Sequence, residues 1–416
     1  MTSFDLRRRP ESFTVAFAFG TRPEAIKLAP VIRAVEADRD LRARVLVTAQ
    51  HRELLDQALR PFGIVPDVDL DLMRSGQTLS SLTQRVLAAM DPVLERERPD
   101  LVLVQGDTTT VFAATLAAFY RRIPVGHVEA GLRSFDLADP FPEEANRRLT
   151  AQLAALHFAP TRGAVENLVN EGVPVERVVL TGNTGIDALV AVVGSGALPP
   201  VPEPWRRLPA GARPVLLTLH RRESWGPRLE GICRAIRRAT DELPALQILY
   251  PVHPQPRVRE TVERLLAGHP RICLVEPLDY LQNVAAMRAS SFVVTDSGGI
   301  QEEAPVLGRP VLVVREVTER PEAVTAGTSL VVGVDEDAVH KAIVALASDE
   351  GHYRAMARAV SPYGDGRASE RVVNAIRRLA GLRERAVPPL VAERDVAPLR
   401  DGSAECGSGL RGAGMA

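Results

Sequence analysis

Leu101-Val102-Leu103-Val104-Gln105-Gly106-Asp107-Thr108-Thr109-Thr110 and the later stretch Ile123-Pro124-Val125-Gly126-His127-Val128-Glu129-Ala130-Gly131-Leu132-Arg133 decide how this chain is read. In each, a short apolar run (Leu101–Val104, Ile123–Val128) leads to an acid and then into residues of helical character. Short apolar runs alternating with helices are the mark of buried strands in a parallel sheet. In such open sheets, ligands bind beyond the carboxyl ends of the strands. Asp107 and Glu129 are therefore expected on one rim, where paired carboxylates suit proton transfer. Helix capping or surface ion pairing is the competing reading of the two acids.

The alternation extends in both directions. Thr14–Phe19, Arg44–Thr48 and Val178–Leu180 complete a first set of strands. Between 194 and 214 the pattern breaks into Gly, Pro and small residues, including Pro199-Pro200, Pro202 and Pro204, as an interdomain linker would. It restarts with Val215–Leu219, Leu246–Tyr250, Ile272–Val275, Phe292–Val294, Pro310–Val314 and Leu330–Val332. The expected fold is α/β, with two Rossmann-like domains facing across a cleft. The first domain spans 1–193, the linker 194–214 and the second domain 215–365. A closing helix lies in 366–383, centred on Glu370–Leu379, and 384–416 reads as a disordered tail. Such clefts are common ligand sites, and hinge closure over them is expected.

Composition narrows the partners. The 416 residues are 45% hydrophobic and 25% charged with a net charge of −1, so no basic excess recommends nucleic acid or an anionic membrane. Three scattered cysteines (Cys233, Cys273, Cys406) rule out a dense disulfide framework and a cysteine-based zinc site, and fit a reducing compartment. The apolar run Phe13–Phe19 is too short for a secretory leader, and no stretch reaches membrane-spanning length; a cytoplasmic location is expected. The histidines are dispersed and no metal-ligand spacing appears. No Gly-x-Gly-x-x-Gly follows the first strand, which argues against NAD dependence, and the P-loop signature is also absent.

Lys27 and Lys341 are the only lysines among 51 cationic residues. Lys27, within Gly20-Thr21-Arg22-Pro23-Glu24-Ala25-Ile26-Lys27, thus stands out as a place where a compact ammonium suits the site better than a planar guanidinium; chance retention on a solvated helix face is the competing reading.

In the second half, Thr295-Asp296-Ser297-Gly298-Gly299-Ile300-Gln301-Glu302-Glu303-Ala304-Pro305 follows a strand and opens a helix. Ser-Gly-Gly at a helix start brings free N–H groups and the helix dipole to an anion, with diphosphate the obvious candidate. Glu303, one turn in, is placed to accept from ribose hydroxyls. His220-Arg221-Arg222-Glu223 follows Val215–Leu219, so His220 belongs on the second rim as a donor or acid toward a leaving diphosphate. Arg315 and Arg320 add cations after another strand; a surface ion-pair network is the plainer alternative.

The chain closely resembles the non-hydrolysing UDP-N-acetylglucosamine 2-epimerases, from about Val15 to Val373. The resemblance rests on GTRPEAIKLAP (20–30), TAQHRELLD (48–56), QGDTTT (105–110), HVEAGLR (127–133), PEEANRR (142–148), HRRE (220–223), DSGGIQEEAP (296–305), RPEAVTAGT (320–328) and PYGDGRAS (362–369). It implies a glycosyltransferase-B-like fold and reversible inversion at C2 between UDP-GlcNAc and UDP-ManNAc. The route implied is anti elimination of UDP to a 2-acetamidoglucal, followed by re-addition, with no cofactor. It also implies a homodimer and a supply of ManNAc-derived sugars for surface polysaccharide.

The acids Asp107, Glu129 and Glu143 and the histidine His220 carry the chemistry in this resemblance. Arg22, Lys27, Ser297, Gly298, Gly299, Glu303 and Arg320 bind substrate, and the uridine falls near Leu278 and Asn283. Gln50 and His51 match part of a region where some members bind a second UDP-GlcNAc, although Gly76 replaces an arginine there. Ser224 and Gly185 replace a usual Asn and Val. The alternatives are an epimerase for a modified UDP-GlcNAc derivative, a hydrolysing epimerase, a retaining UDP-sugar glycosyltransferase and a silent UDP-sugar sensor.

Overall fold

The computed structural model describes residues 12–48, 52–72, 74, 76–203, 205–221 and 224–390, without the side chains of 52–54. Gln50 and His51 lie outside the described residues. The first lobe runs β1 (Phe13–Phe19), α1 (Arg22–Glu36), β2 (Leu41–Val47), α2 (Arg52–Leu59), β3 (Val68–Asp69), α3 (Leu79–Glu97) and β4 (Leu101–Gln105). It continues with α4 (Thr109–Tyr120), β5 (Val125–Val128), α5 (Glu143–Leu153), β6 (Leu156–Ala159), α6 (Arg162–Asn170), β7 (Val178–Leu180) and α7 (Thr184–Gly194). The second lobe runs β8 (Arg213–Thr218), α8 (Pro227–Glu242), β9 (Leu246–Pro251), α9 (Pro256–Leu266), β10 (Ile272–Val275), α10 (Tyr280–Ala289) and β11 (Phe292–Thr295). Then come α11 (Gly298–Val306), β12 (Val311–Val313), α12 (Pro321–Thr325), β13 (Ser329–Val331), α13 (Glu336–Ser348) and α14 (Glu350–Arg358); α15 (Ala368–Leu379) closes the chain.

Both sheets are parallel, in the orders β3-β2-β1-β4-β5-β6-β7 and β10-β9-β8-β11-β12-β13. Strand order reverses between β1 and β4 and between β8 and β11, the switch points at which such sheets open a crevice. The loops after β1, β4, β5, β8 and β11 carry the motifs singled out above. The central strands are buried on both faces: Val15, Phe17, Leu101, Leu103, Val293 and Val294 are inaccessible to solvent, as strands covered by helices on both sides must be.

Two strands fall outside the apolar alternation. β3 is a two-residue edge strand, and β6 carries the polar His157 within only four residues. β5 begins at Val125 rather than Ile123 because Pro124 has no N–H to offer; its carbonyl instead accepts from Val102 N at 3.0 Å.

The helix α15 returns to the first lobe and packs on α1 and α7. Arg377 donates to Asp38 at 2.8 Å and to Asp40 at 3.0 Å. Residues 384–390 have no regular secondary structure but are pinned: Arg385 pairs with Asp38 at 2.7 Å and its N–H donates to Asn374 Oδ1 at 2.7 Å. The remainder of the expected tail lies outside the described residues. No helix among the described residues is long and apolar enough to cross a membrane.

Candidate active site in the interlobe cleft

The first rim is built by one buried glutamate. Thr21 precedes α1 and Glu24 stands three residues on, the spacing of a capping box. Glu24 Oε2 accepts from Gly20 N at 2.8 Å and Thr21 N at 2.6 Å. Its other oxygen accepts from Thr108 Oγ1 at 2.6 Å. Thr108 also caps α4 by accepting from Val111 N at 3.3 Å. The turn after β1 is thereby tied to the turn that holds Asp107.

Asp107 is anchored at both ends. Asn146 Nδ2 donates to its carbonyl at 2.9 Å, and Arg147 Nη2 lies 2.7 Å from its Oδ2. Glu143, at the start of α5, is half-buried. Burial raises its pKa, and the neighbouring charge of Asp107 raises it further, against the pull of Arg147 and Arg221. The two carboxyls share one field, and Arg221 of the second lobe reaches into it.

Glu129 sits one strand over with φ +64°, a left-handed backbone that a non-glycine residue adopts only under tertiary constraint. Ala130 N donates to Phe158 O at 3.1 Å, and Gly131 takes φ +92° where a Cβ would lie 2.2 Å from Ala164 O. This turn aims the carboxylate at Lys27, which donates to it. Beside it, His127 donates from Nε2 to Gly106 O at 2.7 Å; burial pushes its pKa down to about 3, so it is a neutral structural residue.

Lys27 crosses the cleft, 3.5 Å from Glu302 Oε2. Burial alone would lower its pKa, but Glu129 and Glu302 outweigh that and hold it as an ammonium. Glu302 also accepts from Arg320 Nε at 2.5 Å and from Asn183 Nδ2 at 2.8 Å.

The second rim gathers cations at a helix start. Ser297 precedes α11, and a Cβ on Gly298 would lie 3.6 Å from Arg320 Nη2 and 3.8 Å from Arg221 Nη2. Two guanidinia thus face the helix start where N–H groups are free. Arg221 is steadied by Glu319 at 3.3 Å, as is Arg315 at 2.9 Å. His220 Nδ1 lies 3.2 Å from Asp296 Oδ1. Asp296 is fully buried and also accepts from His220 N, Arg221 N and Ser224 Oγ at 3.0–3.1 Å. Burial lifts Glu303 to about 8, with Lys27 and Arg22 pulling the other way.

The structure thus brings Asp107 and Glu143 together, and sets Glu129 with Lys27, Glu302 and Arg320. Gly298 faces Arg320 and Arg221, with Glu303 one turn further along α11. Leu278 precedes α10 and Asn283 lies within it, both half-buried; Tyr280 of the same helix feels the charge of Glu303. Among the described residues no group of three His, Cys, Asp or Glu side chains could hold a metal ion. Sequence reasoning did not single out Glu24, Arg147, Asn183, Asp296 or Glu302. Glu24 was findable from its capping-box spacing, whereas the others act through partners remote in sequence.

A family model described as UDP-N-acetylglucosamine 2-epimerase matches residues 33–377. A UDP-N-acetylglucosamine 2-epimerase of Salmonella typhimurium is 51% identical over 368 residues, covering 87% of this chain and 98% of its own. The UDP-GlcNAc 2-epimerase of Neisseria meningitidis, solved with UDP-GlcNAc bound, superposes with a TM-score of 0.84 at 43% identity, over 88% of this chain and 100% of its own. Staphylococcus aureus MnaA in its co-structure with UDP gives 0.83 at 47% identity, over 89% and 98%. With the glycosyltransferase-B-like architecture and a cleft of acids opposite a cation-faced helix start already in place, this agreement along most of its length makes the chain a member of the UDP-N-acetylglucosamine 2-epimerase family.

Proposed function

We propose that the enzyme inverts C2 of UDP-N-acetylglucosamine reversibly, giving UDP-N-acetylmannosamine, by elimination and re-addition of UDP. The observation that carries this reading is the position of Arg221. Its guanidinium faces the Gly298 helix start and also contributes to the field at Glu143. One side chain therefore joins an anion cradle to a pair of proton-handling acids, as a reaction that breaks C1–O beside a C2–H bond requires.

In this mechanism a carboxylate takes the C2 proton as the C1–O bond breaks. The C–H electron pair becomes the C1–C2 double bond, and the C1–O pair leaves with UDP. The start of α11, with Arg221 and Arg320, meets the charge that gathers on the diphosphate. His220, its ring held at Nδ1 by Asp296, is placed to donate to the departing group. Protonation at C2 from the opposite face and return of UDP to C1 complete the inversion. Acids are needed on both faces of the ring, and the site supplies two separate sets, Asp107 with Glu143 and Glu129 with Lys27. Closure of the lobes retains both intermediates until they recombine.

Incubation with UDP-GlcNAc alone in deuterated water tests this reading. Deuterium at C2 and a mixed UDP-GlcNAc/UDP-ManNAc pool are expected. No exchange at C2 overturns it, release of free ManNAc marks a hydrolysing enzyme, and transfer only with an added acceptor marks a glycosyltransferase.

A further inference from the structure

Glu302 enters from the second lobe and touches three groups whose roles otherwise look separate. Its Oε1 takes Arg320 Nε at 2.5 Å, while its Oε2 takes Asn183 Nδ2 at 2.8 Å and faces Lys27 Nζ at 3.5 Å. It is 2% exposed, and both oxygens are occupied. A carboxylate so enclosed, with donors on both oxygens, is turned to protein groups, and Lys27 is the one among them that also holds Glu129. Lys27 and Glu129 belong to the first lobe, whereas Glu302 arrives only when the second lobe stands against it.

We propose that Glu302 is a positioning residue: with the lobes together it shares the Lys27 ammonium with Glu129 and thereby sets how strongly Glu129 competes for the substrate proton. This rests on the reading of Glu129 as one of the acids that handle the C2 proton. Three charged groups face Glu129 most closely: Lys27 from α1, Glu302 from α11 and Arg320 ahead of α12. Beyond them, Arg22 and Glu303 lie on the Lys27 side, and Tyr363 lies beside Arg320. With Glu302 present, one ammonium serves two carboxylates. Without it, the ammonium belongs to Glu129 alone, which becomes a better stabilised and weaker base. Burial and the charge of Glu302 raise the Glu129 carboxyl, while Lys27 and Arg320 lower it.

The test is the pH dependence of C2 deuterium exchange in the full-length enzyme carrying Glu302→Gln or Glu302→Asp. The Gln variant loses the charge but keeps an oxygen for Asn183. Its acidic limb of kcat is expected to move to lower pH by about one unit, with a plateau about tenfold lower. The Asp variant withdraws the carboxylate by one methylene, and its limb is expected between the other two. A role confined to packing would lower the melting temperature and the rate but leave the limb in place. Both variants showing the wild-type limb overturns the proposal; if the Gln variant does not fold, an unmoved limb in the Asp variant alone does so. Absence of exchange in the unsubstituted enzyme overturns the epimerase reading itself, and shows before any substitution is made.

Discussion

Arg147 Nη2 lies 2.7 Å from Asp107 Oδ2, and Nη1 of the same guanidinium lies 3.4 Å from Glu144 Oε2. Arg147 is 7% exposed and Glu144 fully buried, so this cation bridges a buried carboxylate and the half-buried Asp107 at the rim. Arg147→Met would leave Asp107 without its cation, while Glu144 keeps Arg148 at 3.4 Å and the N–H of Ser134 at 3.0 Å. A hydrogen bond to a charged group contributes about 1.5–3 kcal/mol. A corresponding fall in urea stability is expected, together with at least a tenfold loss of C2 exchange; unchanged denaturation midpoints would contradict this account.

Asp107→Asn asks about the acid itself. The amide keeps the shape but cannot take a proton, so C2 exchange should vanish while UDP binding, measured calorimetrically, stays within about threefold of wild type. Full activity in this variant would remove Asp107 from the mechanism.

Glu303 supplies a pH signature. Its pKa stands near 8 because of burial, against 4.5 for an ordinary glutamate. Between those values the folded state holds the proton more tightly than the unfolded chain, so this group's contribution to stability falls as pH rises from about 4.5 to 8, then levels off. Ribose hydroxyls donating to Glu303 would favour its ionised form. UDP binding at pH 7 should therefore release a proton, and affinity should rise as pH approaches 8. Calorimetry in two buffers of different ionisation enthalpy reads this directly. Glu303→Gln should abolish the release, and its persistence there would assign the proton elsewhere.

Thr161 Oγ1 of the first lobe donates to Glu322 Oε1 of the second at 2.7 Å. Glu322→Ala removes this strut and leaves Thr161 free to cap α6 by accepting from Ala164 N. One hydrogen bond contributes about 1 kcal/mol, so UDP affinity should fall about fivefold with little change in melting temperature. An unaltered dissociation constant would show that the strut does not stabilise the closed form.

Gly131 offers a test of backbone geometry. An added Cβ would meet Ala164 O at 2.2 Å at a residue with φ +92°. Gly131→Ala should cost about 2–4 kcal/mol in denaturant unfolding and reduce exchange by turning Glu129 away from Lys27. Wild-type stability would mean that this turn relaxes freely.

The strand–turn–helix order was legible because buried parallel strands write themselves as short apolar runs, and the rim then follows from where each run stops. Asp107, His220 and Ser297 were placed in this way. Less was legible where an element is short or polar, as in Val68–Asp69 and Leu156–Ala159. The return of α15 was equally hidden: its amphipathic pattern shows one apolar face but not which lobe receives it.

By itself, the sequence determined two Rossmann-like lobes and the strand ends that carry the acids, histidine and Ser-Gly-Gly turn, since periodicity and turn chemistry are local properties. Only the tertiary structure decided that Glu302, and not its neighbour Glu303, takes hold of Arg320 and Asn183 and approaches Lys27 across 275 residues of chain. Successive helical residues point about 100° apart. Which of two adjacent glutamates faces a partner thus depends on how α11 is rotated and how the lobes dock, and long-range packing alone sets both.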